Sequence, residues 1–192
     1  MDIEYQIKDH SIEYITYPFK CSVAYKHKVI DANSINEIAE NFHPPAILVN
    51  NNEFIFINID DKNDLISFCS RNAIPVYSRC DVWSLILDHF LDTELSEEKK
   101  ERGYLQLSKC GISRQECNKI RQENEKLMFA YNYTSGLWEW IYLGLFDILC
   151  ANVGYLSGPK HCLSDIEFKN LYCRAMDIAL RGVLHNNCND SA

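Results

Sequence analysis

Ala46-Ile-Leu-Val-Asn50-Asn51-Asn52-Glu53-Phe-Ile-Phe-Ile-Asn-Ile59 decides the fold class of this chain. Two apolar runs of strand length flank three asparagines, and asparagine tolerates the positive φ that a tight turn demands. The reading is a β-hairpin. Phe54 and Phe56 share one face of its second strand, while Ile55, Ile57 and Ile59 share the other. Side chains alternate across a strand, so a strand that is apolar on both faces is expected to be covered on both sides.

Working outward, residues 12–28 are rich in β-branched and aromatic side chains and read as one or two strands, with Pro18 marking a bend or an edge. Ser34-Ile-Asn-Glu37 has the form of a capping box, which predicts a helix to Phe42, stopped by Pro44-Pro45. Asp60-Asp61 is placed to cap a helix over 62–72 with Leu65, Ile66, Phe68 and Cys69 inward, and Ile74-Pro-Val-Tyr77 reads as a short further strand.

From Asp81 the period becomes that of helices. Asp81 caps a helix whose apolar stripe is Val82, Trp83, Ile86, Leu87 and Phe90. Residues 96–109 form a more polar helix with Gly111 as its stop. Ser113-Arg-Gln-Glu116 opens another, running to about Tyr131, with Cys117, Ile120, Leu127 and Tyr131 on its stripe and Asn124 among them. Residues 136–153 are apolar nearly all round and predict a central core helix with Gly144 in its middle and Gly154 at its C-cap; Glu139 and Asp147 are carboxylates in that apolar setting. Ser164-Asp-Ile-Glu167 starts the last helix, ending at Gly182, with Phe168, Leu171, Tyr172, Ala175 and Ala179 buried. The expected fold is α+β: a small, mostly antiparallel sheet from the first 80 residues packed on a C-terminal bundle of four to five helices. One domain covers 1–192, with a mixed part over 1–80, a helical part over 81–184 and a frayed tail over 185–192.

Charge is distributed unevenly. Residues 1–98 hold 17 acidic and 7 basic side chains, a balance of −10, whereas 99–192 hold 10 and 12, a balance of +2. A polarised charge distribution points to a charged partner. The start, Met1-Asp-Ile-Glu-Tyr-Gln, has neither the basic nor the apolar region of a secretion signal, and the most apolar stretch, 137–153, is shorter than a membrane span and carries Glu139 and Asp147. Nine scattered cysteines without a Cys-x-x-Cys pair argue against a zinc ribbon or a redox motif and fit free thiols in a reducing cytoplasm.

Five constellations can carry chemistry. Asp88, Asp92, Glu94, Glu97 and Glu98 form an acidic run; Asp88 and Asp92, four apart, would share a helix face. Its readings are a docking patch for a basic partner, a divalent-metal site, or a solvated face. Arg181-Gly-Val-Leu-His185 resembles the Arg…His pair of HEPN-type ribonucleases in residue types, although three residues intervene where that family has four to six. In that family such a pair steadies a phosphate and moves a proton. His161-Cys162 precedes a helix N-terminus, a place that lowers a thiol pKa, but adjacent residues seldom align a base with its nucleophile. Arg114, Lys119, Arg121 and Lys126 make a basic helix face interleaved with Glu116, Glu123 and Glu125, which helix surface pairs explain. Trp138 and Trp140 point to different sides of a helix, so one can fill a core while the other meets a neighbour.

No phosphate loop or cofactor motif is present in the sequence. The expectation is a binding protein without a catalytic residue, cofactor or metal: an acidic, bacterial, cytoplasmic immunity protein that neutralises a basic, nuclease-type toxin through Asp88, Asp92, Glu94, Glu97 and Glu98. The alternatives are a metal-assisted or Arg/His-dependent hydrolase of nucleic acid and an adaptor that works through its aromatic surface.

Overall fold

The computed structural model describes residues 1–91, 96–134 and 142–182. The fold is α+β. The chain divides into two compact units, Met1–Cys80 and Asp81–Val183, at the position where the sequence period changes.

The first unit holds both sheets. Strands β1 (Glu4–Ile7), β2 (Ser11–Thr16) and β3 (Val29–Asp31) form one antiparallel sheet in that order. Strands β4 (Ile35–Ala39), β5 (Ala46–Val49), β6 (Glu53–Phe56) and β7 (Val76–Tyr77) form the other, in the order β6-β5-β4-β7. The predicted hairpin is β5–β6, paired from Ala46 opposite Phe56 to Val49 opposite Glu53, with Asn50 and Asn51 at positive φ of 51° and 53°. Every residue of both strands is buried, as a strand apolar on both faces requires. Helix α2 (Lys62–Arg71) is the crossover that lets β7 run parallel to β4, and it buries Leu65, Phe68 and Cys69. A run of aromatic rings, Tyr5, Tyr14, Tyr17, Phe19 and Phe56, links the two sheets, each ring meeting the next at 5.3–6.2 Å. Tyr17 Oη accepts the Phe56 amide at 3.1 Å, which satisfies a donor on the outer edge of β6.

Two local expectations give way here, and residues 12–28 hold one of the one or two strands expected. Ser34-Ile-Asn-Glu37 does not open a helix: a short 3₁₀ turn at Ala32–Ser34 leads into β4. A capping box offers two hydrogen bonds, whereas β4 gains ladders to β5 and β7 and buries Ile35, Ile38 and Ala39; Glu37 pairs with Arg79 instead. Asp61 makes no side-chain cap for α2 and accepts the Tyr5 hydroxyl at 2.6 Å. Within 12–28, only β2 is a strand; Val23–His27 forms the short helix α1, capped by Ser22.

The second unit is helical: α3 (Val82–Leu87) with a 3₁₀ turn at Asp88–Phe90, α4 (Glu97–Lys109), α5 (Arg114–Thr134), α6 (Leu145–Asn152) and α7 (Asp165–Leu180). The caps fall where the sequence puts them. Asp81 accepts the Ser84 amide at 3.1 Å, Ser113 accepts Glu116 N at 3.1 Å, and Ser164 and Glu167 close a reciprocal box. Glycines 111 and 154 take positive φ just past their helices. The stripe Val82, Trp83, Ile86, Leu87 and Phe90 is buried, and Trp83 Nε1 donates to Ala175 O of α7 at 2.9 Å.

The helix predicted over 136–153 is shorter. Gly144 stands at its N-cap in an extended conformation, and α6 covers only Leu145–Asn152. The Asp147 side chain accepts the Gly144 amide at 2.8 Å, so the carboxylate that looked out of place in an apolar run starts the helix. Residues 135–141, with Glu139, Trp138 and Trp140, lie outside the described residues, as do 183–192. No helix among the described residues is long and apolar enough to cross a membrane.

Candidate functional site

The last carbonyls of α3 have no partners within their own helix. Arg121, on α5, supplies them. Its Nε donates to Ile86 O at 2.8 Å and its Nη2 to Leu85 O at 3.0 Å. The same Nη2 donates to Asp88 Oδ1 at 2.9 Å, and Nη1 to Tyr104 Oη at 3.0 Å. Tyr104 Oη donates to Asn118 Oδ1 at 2.8 Å, and the Arg114 guanidinium sits 4.2 Å from its ring centre. Around this hub lies a half-open pocket of about 360 Å³, lined by Asp88, His89, Phe90, Lys100, Tyr104 and Arg121 together with Asn118, Gln122 and Glu125.

Asp88 thus belongs to a charge-paired pocket wall. Burial pushes its carboxyl above the ordinary range and the Arg121 charge pulls it back; burial wins. The 3₁₀ turn ends at Phe90 and Leu91 is extended at φ −74°, ψ 146°; Asp92 and Glu94, which the sequence sets beside Asp88, lie outside the described residues. Glu97 and Glu98 occupy the first turn of α4, where the helix dipole favours acidic side chains, and both are more than four-fifths exposed. Lys100 lies 2.6 Å from Glu97 and Arg102 3.9 Å from Glu98. Exposed pairs of this kind bind loosely and leave the carboxylates solvated.

Three more acids of the second unit have cationic partners. Glu101 meets Arg114, Glu116 meets Arg181, and Glu123 meets Arg174 and Lys119. Arg181 is committed to Glu116, and His185 lies outside the described residues. Cys162 is exposed, and Nε2 of His161 has no hydrogen-bond partner, so the two form no hydrogen-bonded pair. Among the described residues no three His, Cys, Asp or Glu side chains gather as metal ligands.

The first unit also holds acids without ion-pair partners. Tyr5 Oη donates to Asp61 Oδ2 at 2.6 Å and accepts the Asn58 amide at 2.9 Å, while Asn58 Nδ2 donates to Ile3 O at 3.0 Å. These bonds set β1, with Glu4 in it and Asp2 before it, beside the start of α2, where Asp60, Asp61 and Asp64 stand; Glu4 alternates with Tyr5 along the strand and accepts the Thr16 hydroxyl at 3.4 Å. Asp2, Glu4, Asp60 and Asp64 are exposed, and none of the five makes an ion pair among the described residues; Lys62, in their midst, turns to Glu40 at 3.5 Å. Burial first, and the Asp61 hydrogen bond second, raise the Tyr5 hydroxyl well above its ordinary pKa, which keeps it a donor. The run Asp60-Asp61-Lys62-Asn63-Asp64 was visible in the sequence; its approach to Ile3 and Tyr5, more than fifty positions away, was not. No protein-family model matches the chain, and no curated protein or solved structure matches it either.

Proposed function

We propose that this chain is a binding protein that captures a cationic protein partner, in the manner of an immunity protein occupying a nuclease toxin in a bacterial cytoplasm. The observation that carries the reading is that five acids of the first unit, Asp2, Glu4, Asp60, Asp61 and Asp64, stand without ion pairs among the described residues in a chain of net charge −8. A nuclease must hold phosphate, so its working surface is positive, and an acidic binder gains steered association and complementarity there. No disulfide joins the eight described cysteines, which fits a reducing compartment. Within the acidic run read from the sequence, Glu97 and Glu98 are the described members turned to solvent, but cations one turn along α4 offset them. The contact is therefore centred on the first unit.

Affinity capture at low salt from a lysate of the source cells tests this. The unaltered chain should retain a basic protein that added salt releases. Asp60→Lys with Asp64→Lys should slow association by about tenfold or more, whereas Glu97→Lys with Glu98→Lys should change it little. Equal kinetics in the Asp60/Asp64 variant, or no salt-sensitive capture by the unaltered chain, would remove the proposal.

A further inference from the structure

The pocket around Arg121 is built by the second unit alone. Its volume, about 360 Å³, is at the small end for sites that take small molecules. Two carboxylates, Asp88 and Glu125, and two cations, Lys100 and Arg121, line it, and the four charges cancel. A lining of one sign selects the opposite ion; a lining with both signs in equal number selects a molecule that carries both.

Arg121 and Glu125 stand four apart on α5, a spacing at which opposite charges can pair, yet they do not. Arg121 turns to α3 instead and gives four of its five N–H groups to Ile86 O, Leu85 O, Asp88 Oδ1 and Tyr104 Oη, which leaves one Nη1 hydrogen. Glu125 is exposed and makes no ion pair or hydrogen bond among the described residues. Asn118 accepts the Tyr104 hydroxyl through Oδ1, so its amide hydrogens remain for another acceptor. Donors therefore gather at Asn118 and Arg121, and a carboxylate stands one turn further along the helix, about 5.4 Å on. The ammonium nitrogen and carboxylate carbon of an α-amino acid are about 2.5 Å apart by standard bond lengths, so each can reach its own end through an ordinary hydrogen bond. Beside this polar wall, Phe90 meets the rings of His89 and Phe129 edge to face at 5.4 and 5.5 Å, and both of those rings are exposed.

We infer that the pocket binds a free α-amino acid with an aromatic side chain. Its carboxylate takes the remaining hydrogens of Arg121 and Asn118, its ammonium meets Glu125, and its ring packs edge to face with His89 and Phe90. Lys100 sits 2.6 Å from Glu97 in a half-exposed pair, a loose contact that lets the ammonium lean toward an arriving carboxylate.

Calorimetric titration of the intact chain with L-phenylalanine tests the site, with phenethylamine and hydrocinnamate as analogues that each lack one of its two charges. Phenylalanine should bind with a Kd of about 1 mM or tighter, and each analogue at least about tenfold more weakly. The amide resonances that move should be those of residues 88–90 and 118–125. Glu125→Gln should weaken phenylalanine by about tenfold, whereas Asp177→Asn, the same change of charge on an exposed position of α7, should leave its affinity as it was. No binding at about 10 mM, shifts confined to other residues, or equal affinity in Glu125→Gln overturns the inference. An amine bound as tightly as the amino acid makes the pocket a cation site, and an acid bound as tightly makes it an anion site; either result overturns the inference too. If Glu125→Gln fails to fold, the two analogues on the unaltered chain decide.

Discussion

Replacing Arg121 by methionine removes the cation that holds the end of α3, the 3₁₀ turn and Tyr104 together. The side chain is 15% exposed and Asp88 24%, so the pair is largely but not wholly desolvated. Methionine fills much of the volume but leaves Leu85 O, Ile86 O and the Asp88 carboxylate without their donor. Breaking a buried pair from one side costs about 3–5 kcal/mol, and partial exposure places this one at the low end, about 3 kcal/mol. Asp88→Asn behaves differently. Its amide oxygen still accepts from Arg121, and burial already favours an uncharged form at this position, so the loss should be about 1 kcal/mol or less. Arg121→Lys should recover little, because a single ammonium cannot span acceptors that a planar guanidinium reaches together. Urea unfolding followed by tryptophan emission reads the second unit specifically, since Trp83, Trp138 and Trp140 all follow residue 80. Equal losses for Asp88→Asn and Arg121→Met, or a loss below about 1 kcal/mol for Arg121→Met, would refute the reasoning.

Gly144→Ala should destabilise the second unit by about 1–3 kcal/mol, because the added methyl meets a Tyr142 ring carbon at 2.8 Å as well as Asp81; thermal unfolding checks it. Arg79→Met should cost the first unit about 3–5 kcal/mol, since Glu37 would lose its partner at 2.8 Å on strand β4 with only 9% of its side chain exposed; the readout is urea unfolding followed by far-ultraviolet dichroism. Glu97→Gln with Glu98→Gln should move stability by no more than about 1 kcal/mol, the worth of exposed pairs and first-turn dipole contacts combined, as measured by the urea midpoint.

The hairpin at 46–56 was legible because turn chemistry and two apolar faces agreed. The helix starts at Asp81, Ser113 and Ser164 were legible because a cap is a local bond between near neighbours. Ser34–Glu37 failed for the complementary reason: the cap pattern is local, but the competing ladders come from residues 46–49 and 76–77. Residues 136–153 misled because apolarity alone does not reveal where a helix begins; the sign was Gly144 followed three residues later by Asp147. The acidic run was visible residue by residue, yet Asp88 finds its cation 33 positions away. Arg121 follows Ile120 directly and lies four residues after Cys117, beside the buried stripe of α5, and that inward placement was the available hint that it serves the interior.

The thiols of the two cores carry one more consequence. Cys69, Cys80, Cys110, Cys117 and Cys150 are buried, whereas Cys162 and Cys173 are exposed. Burial pushes Cys69 up to about 12 and raises Cys117 and Cys150 as well, which suppresses the thiolate that oxidants and alkylating reagents attack. Peroxide or a maleimide should therefore mark the rim of α7 and its leading loop first, and each unit keeps an internal chemical clock: Cys69 and Cys80 become reactive only when the sheet-bearing half opens, and Cys110, Cys117 and Cys150 only when the helical half does.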